Sequence, residues 1–526
     1  MPNIISKLKK INIPFLFVAS VHIFYSFLTD TIAYTADGFY KNTFYWLAKV
    51  FAIASVIIFW QMVAAIQANI KNKDLRRFLR FFGIYFGIML FFLLLTWPGI
   101  WRWDDIKVLF SVTNVEFLFL QHWLTGFYYM ICLCIFPFPG GILLIQIFLI
   151  SLAVGFIMYK LGFYVKSSRV YFFYIPMLLP AIVSNNLYPL RLPLYSFIEL
   201  FLFAHIFFKY RDKSKIKSSD IAVWAVLTAL VSTWRSEGII YLLVIPVLLL
   251  ILFKKNITWR PLISLVLAAT VISGSIMLMQ RSGGQDDSYF ITGIMQPLHG
   301  VLSTDFKSDS KEEDLKNIDK VLNIDLLANI SGGAAYWAKD RQYTQEEFEI
   351  FKSTAYRLMI TNIPAILLDR ANIFYKTNGF NSTVETFLGY SPQLFNYTKS
   401  GNYLETSNRF KTFFLNHPPS ITVRSVVVSL LDFRNPENYR EHFVLFPVFY
   451  NACIPIGLLF LLMVFAIIKK QKEFVFIPLA VFGKTIITFL TAPDPLFMYY
   501  LPVYIVSFAF VTIALLTKFK EKNANE

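Results

Sequence analysis

Two adjacent carboxylates, Asp104 and Asp105, are the residues of this chain whose setting most suggests chemistry. They follow Pro98-Gly99, a pair that ends a long apolar run and favours the end of a helix. In the simplest interpretation the two aspartates form a solvated turn or a helix N-cap. Beside a low-dielectric surface, however, carboxylates become stronger bases and can take up a proton. We therefore treat the pair as candidate catalytic residues.

Further polar residues stand at turns between apolar runs. Gln121 and His122 open a short apolar stretch, where the imidazole could contact a phosphate. Arg191 ends a polar turn, and Arg235 and Glu237 flank a serine between two apolar runs. Arginine suits bidentate contacts to phosphate. An internal ion pair within a turn explains Arg235 and Glu237 equally well.

The elements that position these residues are membrane helices. The chain has 526 residues, of which 56% are hydrophobic and 16% charged, whereas soluble proteins carry roughly a quarter charged residues. Apolar runs of about 20 residues, enough to cross the hydrocarbon core, recur along it. We predict an all-α polytopic membrane protein with about 12 transmembrane helices, at 12–29, 44–67, 79–98, 140–160, 170–185, 192–209, 220–235, 238–254, 260–280, 443–468, 473–490 and 495–517.

The stretch 121–138 is a thirteenth apolar segment, which we interpret as a half-helix. If it does not span, most lysines and arginines fall in the segments predicted to face the cytoplasm, at the N-terminus, 68–78, 161–169, 210–219, 255–259, 469–472 and the C-terminus. The short outside loops then hold only Lys41, Lys49, Arg102, Lys107, Arg191 and Arg235. Both termini are thus predicted to be cytoplasmic. The net charge of +16 is a topology signal and gives no reason to expect nucleic acid.

One outside loop is exceptionally long. We predict three parts: an N-terminal membrane domain at 1–280, with a first external loop at 97–123, a large external loop domain at 281–440, and C-terminal membrane helices at 441–526. The region from Gln342 to Lys376 alternates apolar and polar residues with helical spacing. The loop domain is therefore expected to be mostly helical and to rest on the membrane.

The cysteines indicate neither a disulfide framework nor a metal site. The chain has three, Cys132, Cys134 and Cys453, and all lie in apolar segments as expected of small core residues. No zinc spacing, phosphate-binding glycine loop or dinucleotide fingerprint stands out. No metal-ligating residue is predicted, although a divalent metal as cofactor is left open.

Together these motifs resemble the GT-C superfamily of integral membrane glycosyltransferases. Its bacterial members carry Tyr-Pro-Gly, a short spacer and then Asp in the first outside loop; here Trp97-Pro98-Gly99 and Asp104 take these places. A His-Pro-type segment follows in the family, and Gln121-His122 is similar, with Trp123 in place of the proline. Met498-Tyr499-Tyr500-Leu501-Pro502 looks like the family's Arg-Tyr-x-x-Pro segment without its arginine.

The resemblance implies a GT-C-like fold and a polyprenyl-phosphate-sugar donor. The first-loop aspartate, Asp104, would be the general base of an inverting transfer to a cell-envelope glycan or lipid acceptor, with Asp105 as the second choice. Arg102, His122, Arg191 and Arg235, together with Glu237 and Tyr500, would contact the donor phosphate or the sugar. The expected partners are this donor, the acceptor and the lipid bilayer of the cytoplasmic membrane.

Other functions remain open from the sequence. A flippase or transporter for lipid-linked sugars is suggested by Lys484 and Glu199, because ionisable residues inside a membrane are costly and often functional. A transporter would place its polar residues near the midplane, whereas most here collect at one surface. An envelope polysaccharide polymerase or ligase would use loop arginines, of which Arg409, Arg424 and Arg434 are candidates. A purely structural membrane scaffold is the remaining alternative.

Overall fold

The computed structural model describes residues 12–101, 103–117, 121–254, 257–282, 286–329, 341–380, 418–431, 433, 445–492 and 495–518. Across these residues the regular elements are helices, and none of the described segments forms a strand. The predicted all-α class is therefore confirmed.

The α-helices are numbered along the described chain. They are α1 Ile13–Ala33, α2 Thr43–Ala68, α3 Lys73–Leu95, α4 Trp103–Thr113, α5 Trp123–Ile135, α6 Pro139–Leu161, α7 Ser167–Val170, α8 Tyr174–Met177, α9 Pro180–Asn186, α10 Arg191–Arg211, α11 Ser218–Thr233, α12 Tyr241–Phe253, α13 Trp259–Ser282, α14 Asp286–Leu302, α15 Lys311–Asp319, α16 Ile324–Asn329, α17 Gln345–Thr361, α18 Ile363–Thr377, α19 Ile421–Leu431, α20 Phe446–Phe449, α21 Cys453–Ile468, α22 Glu473–Thr491 and α23 Leu501–Thr517. Short 3₁₀ turns lie at Phe39–Lys41, Tyr171–Phe173, Ser236–Ile240 and Phe497–Tyr500.

Ten helical segments in the described part of the chain are long and apolar enough to cross a membrane. They are Ile13–Ala33, Thr43–Ala68, Lys73–Leu95, Pro139–Leu161, Arg191–Arg211, Ser236–Phe253, Trp259–Ser282, Phe446–Ile468, Glu473–Thr491 and Phe497–Thr517. Each overlaps one of the twelve predicted spans. The helices indicate a multi-pass membrane protein, as predicted, but the number twelve is not confirmed.

Two predicted spans take a different form. The segment 170–185 is broken into α7, α8 and α9 with a 3₁₀ turn between them. Pro180 begins α9, and the preceding Leu179 has extended backbone, as proline requires of its neighbour. Helix α11 covers most of 220–235 but has only 16 residues, so it is shorter than a typical span.

The predicted half-helix is present as α5, which has 13 residues and ends at the Phe136-Pro137 junction. Pro139 then begins α6, a position that suits proline because its missing N–H has no helical partner there. Helix α5 packs against α1, α2, α4 and α6, and most of its side chains are buried. It is therefore a core element rather than a lipid-facing one.

Three groups of buried apolar side chains organise the molecule. The largest joins α3, α6, α10, α12, α22 and α23. A second joins the end of α1 with α2, α4 and α5. The third lies within the long loop, where α14 packs with α15, α16 and α17. The described part of this loop thus has an apolar core of its own, although the predicted domain limits stay predictions.

Candidate functional site

The Trp97-Pro98-Gly99 turn connects α3 to α4. Its Trp97–Pro98 peptide bond is cis, and Gly99 has a φ of +106°, which side chains rarely allow. A Cβ atom on Gly99 would lie 1.8 Å from Cδ1 of Leu143. The N–H of the next residue, Ile100, donates to the Leu187 carbonyl at 2.9 Å. The turn is thereby pressed against α6 and the segment that precedes α10.

Arg424 of helix α19 holds the same turn from the long loop. Its Nη2 donates to the Gly99 carbonyl at 2.8 Å and its Nε to the Thr96 carbonyl at 3.2 Å. The side chain is buried. Because the last carbonyls of a helix lack helical partners, this guanidinium caps the end of α3. The polymerase hypothesis drew on Arg424 as a loop arginine, and the structure places it on backbone carbonyls.

Asp104 and Asp105 lie in the first turn of α4, where the helix dipole favours negative charge. Asp104 is partly exposed and accepts a hydrogen bond from the Gln121 side-chain amide at 2.9 Å. Asp105 is 0% exposed and lies close enough to Tyr129 of α5 to interact with its hydroxyl. The two neighbouring carboxylates therefore have opposite environments, one open and one enclosed.

His122 is the N-cap residue of α5 and is buried. Its Nδ1 accepts the Leu124 N–H at 3.3 Å, so the ring proton resides on Nε2 in the neutral imidazole. Burial, followed by the nearby Arg191 guanidinium, lowers the pKa of His122 to about 3. At neutral pH the side chain is therefore an uncharged Nε2–H donor.

Gln121 connects the two candidate segments to a third. Arg191, the first residue of α10, donates from Nη1 to the Gln121 carbonyl, and the Thr125 hydroxyl donates to it at 2.7 Å. The Gln121 side chain meanwhile holds Asp104. Asp104, His122 and Arg191 are therefore brought together through Gln121, a residue that was not among the predicted site residues.

Arg235 and Glu237 form a buried ion pair, the simpler of the two interpretations of these residues. The Arg235 guanidinium also lies 5.6 Å from the centre of the Tyr499 ring. The preceding Trp234 donates from Nε1 to the Thr125 hydroxyl at 3.1 Å. Trp234, the chain neighbour of Arg235, is therefore linked to Gln121 through the Thr125 hydroxyl.

A second buried ion pair stands behind the first. Lys484 of α22 contacts Glu199 of α10 at 2.7 Å, and the Tyr241 hydroxyl donates to the same carboxylate at 2.8 Å. Glu237 lies close enough to Lys484 for an electrostatic interaction. The bundle thus holds two positive and two negative side chains whose charges balance: Lys484, Arg235, Glu199 and Glu237. Both intramembrane residues cited for the transporter hypothesis belong to this cluster.

Tyr500 is buried in a different setting, against the long loop. Its ring centre lies 5.1 Å from that of Phe374 in α18, and Arg370 of the same helix interacts with it. Arg370 is fully buried, pairs with Asp369 and donates to the Ala492 carbonyl at 2.7 Å. Burial alone would raise the pKa of Asp369, but the nearby His299 side chain, 3.8 Å away, and the Arg370 charge hold it below its usual value.

One predicted site residue, Arg102, lies outside the described residues. Within the described ranges, no group of three or more histidine, cysteine, aspartate or glutamate side chains could hold a metal ion. The three cysteines are free thiols, and Cys132 and Cys134 are buried as expected of core residues.

Sequence reasoning missed a polar cluster between α1 and α2 that contacts α5. Lys49, predicted to lie in an outside loop, is instead fully buried in α2 and contacts Asp30 of α1 at 2.5 Å. Lys49 also donates to the Ser26 hydroxyl at 2.7 Å, which in turn donates to the Cys134 carbonyl. An ionisable pair within apolar helices was the available signal.

A scan against models of known protein families finds no match for this chain, and searches of curated proteins and of solved structures find none either. The resemblance to GT-C glycosyltransferases therefore rests on the motifs themselves.

Proposed function

We propose that the protein is a GT-C-type membrane glycosyltransferase that moves a sugar from a polyprenyl-phosphate carrier to an envelope glycan or lipid at the external face. The observation that carries this proposal is the convergence of Asp104, His122 and Arg191 around Gln121. These residues come from three separate segments and offer a carboxylate, a neutral donor and a cation. Such a set suits proton removal beside an anionic leaving group.

The proposed reaction is a single displacement. Asp104 takes the proton of the acceptor hydroxyl, and the hydroxyl oxygen forms a bond to the anomeric carbon of the sugar. The bond between that carbon and the phosphate oxygen breaks, and its electron pair leaves with polyprenyl phosphate. Arg191 stabilises the phosphate charge with its guanidinium, which among the described residues donates one N–H to the Gln121 carbonyl. The anomeric configuration is thereby inverted.

Asp104 is a better base than Asp105 on grounds of access. Asp105 is enclosed at 0% exposure, whereas Asp104 is partly exposed and held by one side-chain amide. A carboxylate oriented through one oxygen can present the other to an acceptor. His122, neutral and carrying its proton on Nε2, would serve as a hydrogen-bond donor and not as a second cation.

The test is transfer by the purified full chain in liposomes supplied with polyprenyl-phosphate hexoses and candidate acceptors. The measured quantity is release of polyprenyl phosphate together with the mass of the glycosylated acceptor. We expect Asp104→Asn to lower the rate by at least about a hundredfold, as loss of a general base does. Asp37→Asn, an exposed aspartate between α1 and α2, is the matched control and should keep the wild-type rate. Equal rates for the Asp104→Asn and wild-type proteins would refute the role of Asp104.

A flippase for lipid-linked sugars is the second candidate, favoured by the buried Lys484–Glu199 pair between two candidate spans. It predicts that a fluorescent polyprenyl-phosphate sugar crosses the liposome membrane without release of its phosphate. The Lys484→Met, Glu199→Gln double variant should then lose this movement. Phosphate release that depends on Asp104, with no movement of the intact lipid, would instead favour the transferase. Of the three loop arginines cited for the polymerase or ligase alternative, Arg424 is engaged with backbone carbonyls, and Arg409 and Arg434 lie outside the described residues.

A further inference from the structure

Helix α18 lies in the long loop, yet one of its faces is both exposed and apolar. At helical spacing this face covers an arc of about 140°. Leu368 is 61% exposed and Ile363 is 51% exposed. We call this surface the α18 arc, and it consists of Ile363, Pro364, Leu367, Leu368, Ala371 and Tyr375.

The buried face of α18 fixes the orientation of the helix. Arg370, Ile373 and Thr377 are buried, and Arg370 donates to the Ala492 carbonyl at 2.7 Å. These buried side chains attach the helix to the rest of the protein, and the α18 arc therefore faces outward. Internal repacking could not hide the arc without breaking these contacts.

The arc continues the apolar exterior of a candidate membrane span. Phe374 of α18 packs against Phe489 of α22, with ring centres 6.0 Å apart. Helix α22 exposes Ile486 and Leu490 in the same stretch, as expected of side chains that face lipid. Helix α18 thus lies beside the last turn of this span, where the bilayer would end.

The surroundings of the arc have the composition of a membrane interface. The last turns of α17, which directly precede α18, expose two further apolar side chains, Tyr356 and Ile360, the latter 70% exposed. Lys376 follows Tyr375 in α18, Arg357 of α17 pairs with Asp314, and no charged residue falls within the arc itself. Tyrosines and basic residues at the border of an apolar surface are typical of the headgroup region.

We propose that α18 and the end of α17 form an interfacial membrane helix pair, with the α18 arc inserted among the lipid acyl chains. The partner is the bilayer that surrounds the spans, because the arc is continuous with the exterior of α22. A second copy of the chain is the competing occupant. This inference does not depend on the proposed glycosyltransferase activity.

The experiment places a spin label at Leu368→Cys in the full chain, reconstituted in liposomes of phosphatidylcholine and phosphatidylglycerol. Cys453→Ala removes the thiol that is not fully buried, while Cys132 and Cys134 are enclosed. Collision rates with oxygen, which concentrates in lipid, and with a water-soluble nickel chelate are then compared. Ile486→Cys in α22 gives the lipid reference, and Glu312→Cys in the charged first turn of α15 gives the aqueous reference.

We expect the oxygen-to-nickel ratio at residue 368 to match that at 486 and to exceed that at 312 several-fold. A ratio at 368 equal to that at 312 would overturn the proposal. Protection from both reagents would also overturn it, since a protein surface would then cover the arc. If the Leu368→Cys variant does not fold, as judged by its elution profile and helical content, Leu367→Cys on the same arc replaces it.

Discussion

At the scale of single residues, Gln121 unites the candidate site. Its side-chain amide holds Asp104, and its carbonyl accepts from Arg191, 70 residues further along the chain. Asp104 and His122 were identifiable from the sequence because their residue types and setting suggest chemistry. The role of Gln121 was not, since half of it is carried by a backbone carbonyl that every residue possesses.

The state of His122 gives a prediction about pH. An imidazole whose pKa falls from 6.5 to about 3 on folding stabilises the native state fully above pH 6.5. This contribution is lost as the pH falls through that window toward 3, by at most about 1.4 kcal/mol per pH unit. We expect His122→Asn to remove this pH dependence, because the asparagine side chain does not titrate. Asparagine can still accept the Leu124 N–H and tolerates the positive φ at this position.

The measurement is the thermal unfolding midpoint of the wild-type and His122→Asn proteins in detergent between pH 7.5 and 4. Titrations shared by both proteins cancel in the difference between their midpoints. The unfolding midpoint of the wild-type protein, relative to that of His122→Asn, should fall as the solution becomes more acidic. A difference that stays constant across the range would show that His122 titrates normally.

At the scale of elements, the turn before α4 has a backbone that only glycine accommodates. Gly99→Ala should lower the free energy of unfolding by about 1–3 kcal/mol, because of its φ of +106° and the 1.8 Å approach to Leu143. Gly87→Ala in the middle of α3 is the matched control, since nothing lies within 4 Å of its added Cβ. It should be neutral or stabilising by up to about 1 kcal/mol. Denaturant unfolding measures the free energy of unfolding of both variants. Equal losses for Gly99→Ala and Gly87→Ala would contradict the prediction.

The sequence predicted helices well where one long apolar run was enough. In the part of the chain that the structure describes, all ten helical segments long enough to span were anticipated, and so was the short α5 before Phe136-Pro137. The prediction of 170–185 as one span is not confirmed, since the segment forms short helices, and average hydropathy does not register its two prolines, four residues apart. Pro176 lies within α8, and Pro180 begins α9 after a break at 178–179.

At the scale of the whole molecule, buried charges join helices that are distant in sequence. Lys484 and Glu199 are 285 residues apart, and their contact ties α22 to α10. Lys49 and Asp30 likewise join α2 to α1. Neither pairing could be predicted from the sequence, because partners inside a bundle depend on how helices dock and not on local spacing.

The long-range pair gives a prediction about stability. Lys484→Met should cost about 3–5 kcal/mol, because it leaves the Glu199 carboxylate buried without its partner. Adding Glu199→Gln should recover most of this loss, since the glutamine oxygen can still accept from Tyr241. Unfolding of the single and double variants in detergent measures the coupling. Additive effects of the two substitutions would mean that the side chains do not interact.

The hydrogen bonds from Arg424 to the turn after α3 can form only late in the synthesis of the chain. Arg424 lies 328 residues after Thr96, whose carbonyl it caps. At ribosomal speeds of about 5–20 residues per second, roughly a quarter of a minute to one minute separates the synthesis of the two. During that interval the nascent chain already carries Asp104, but the turn before it has only its own backbone hydrogen bond, from the Gly99 N–H to the Thr96 carbonyl. A transcript cut short before codon 424 would therefore yield a protein in which the turn before Asp104 lacks the Arg424 contacts.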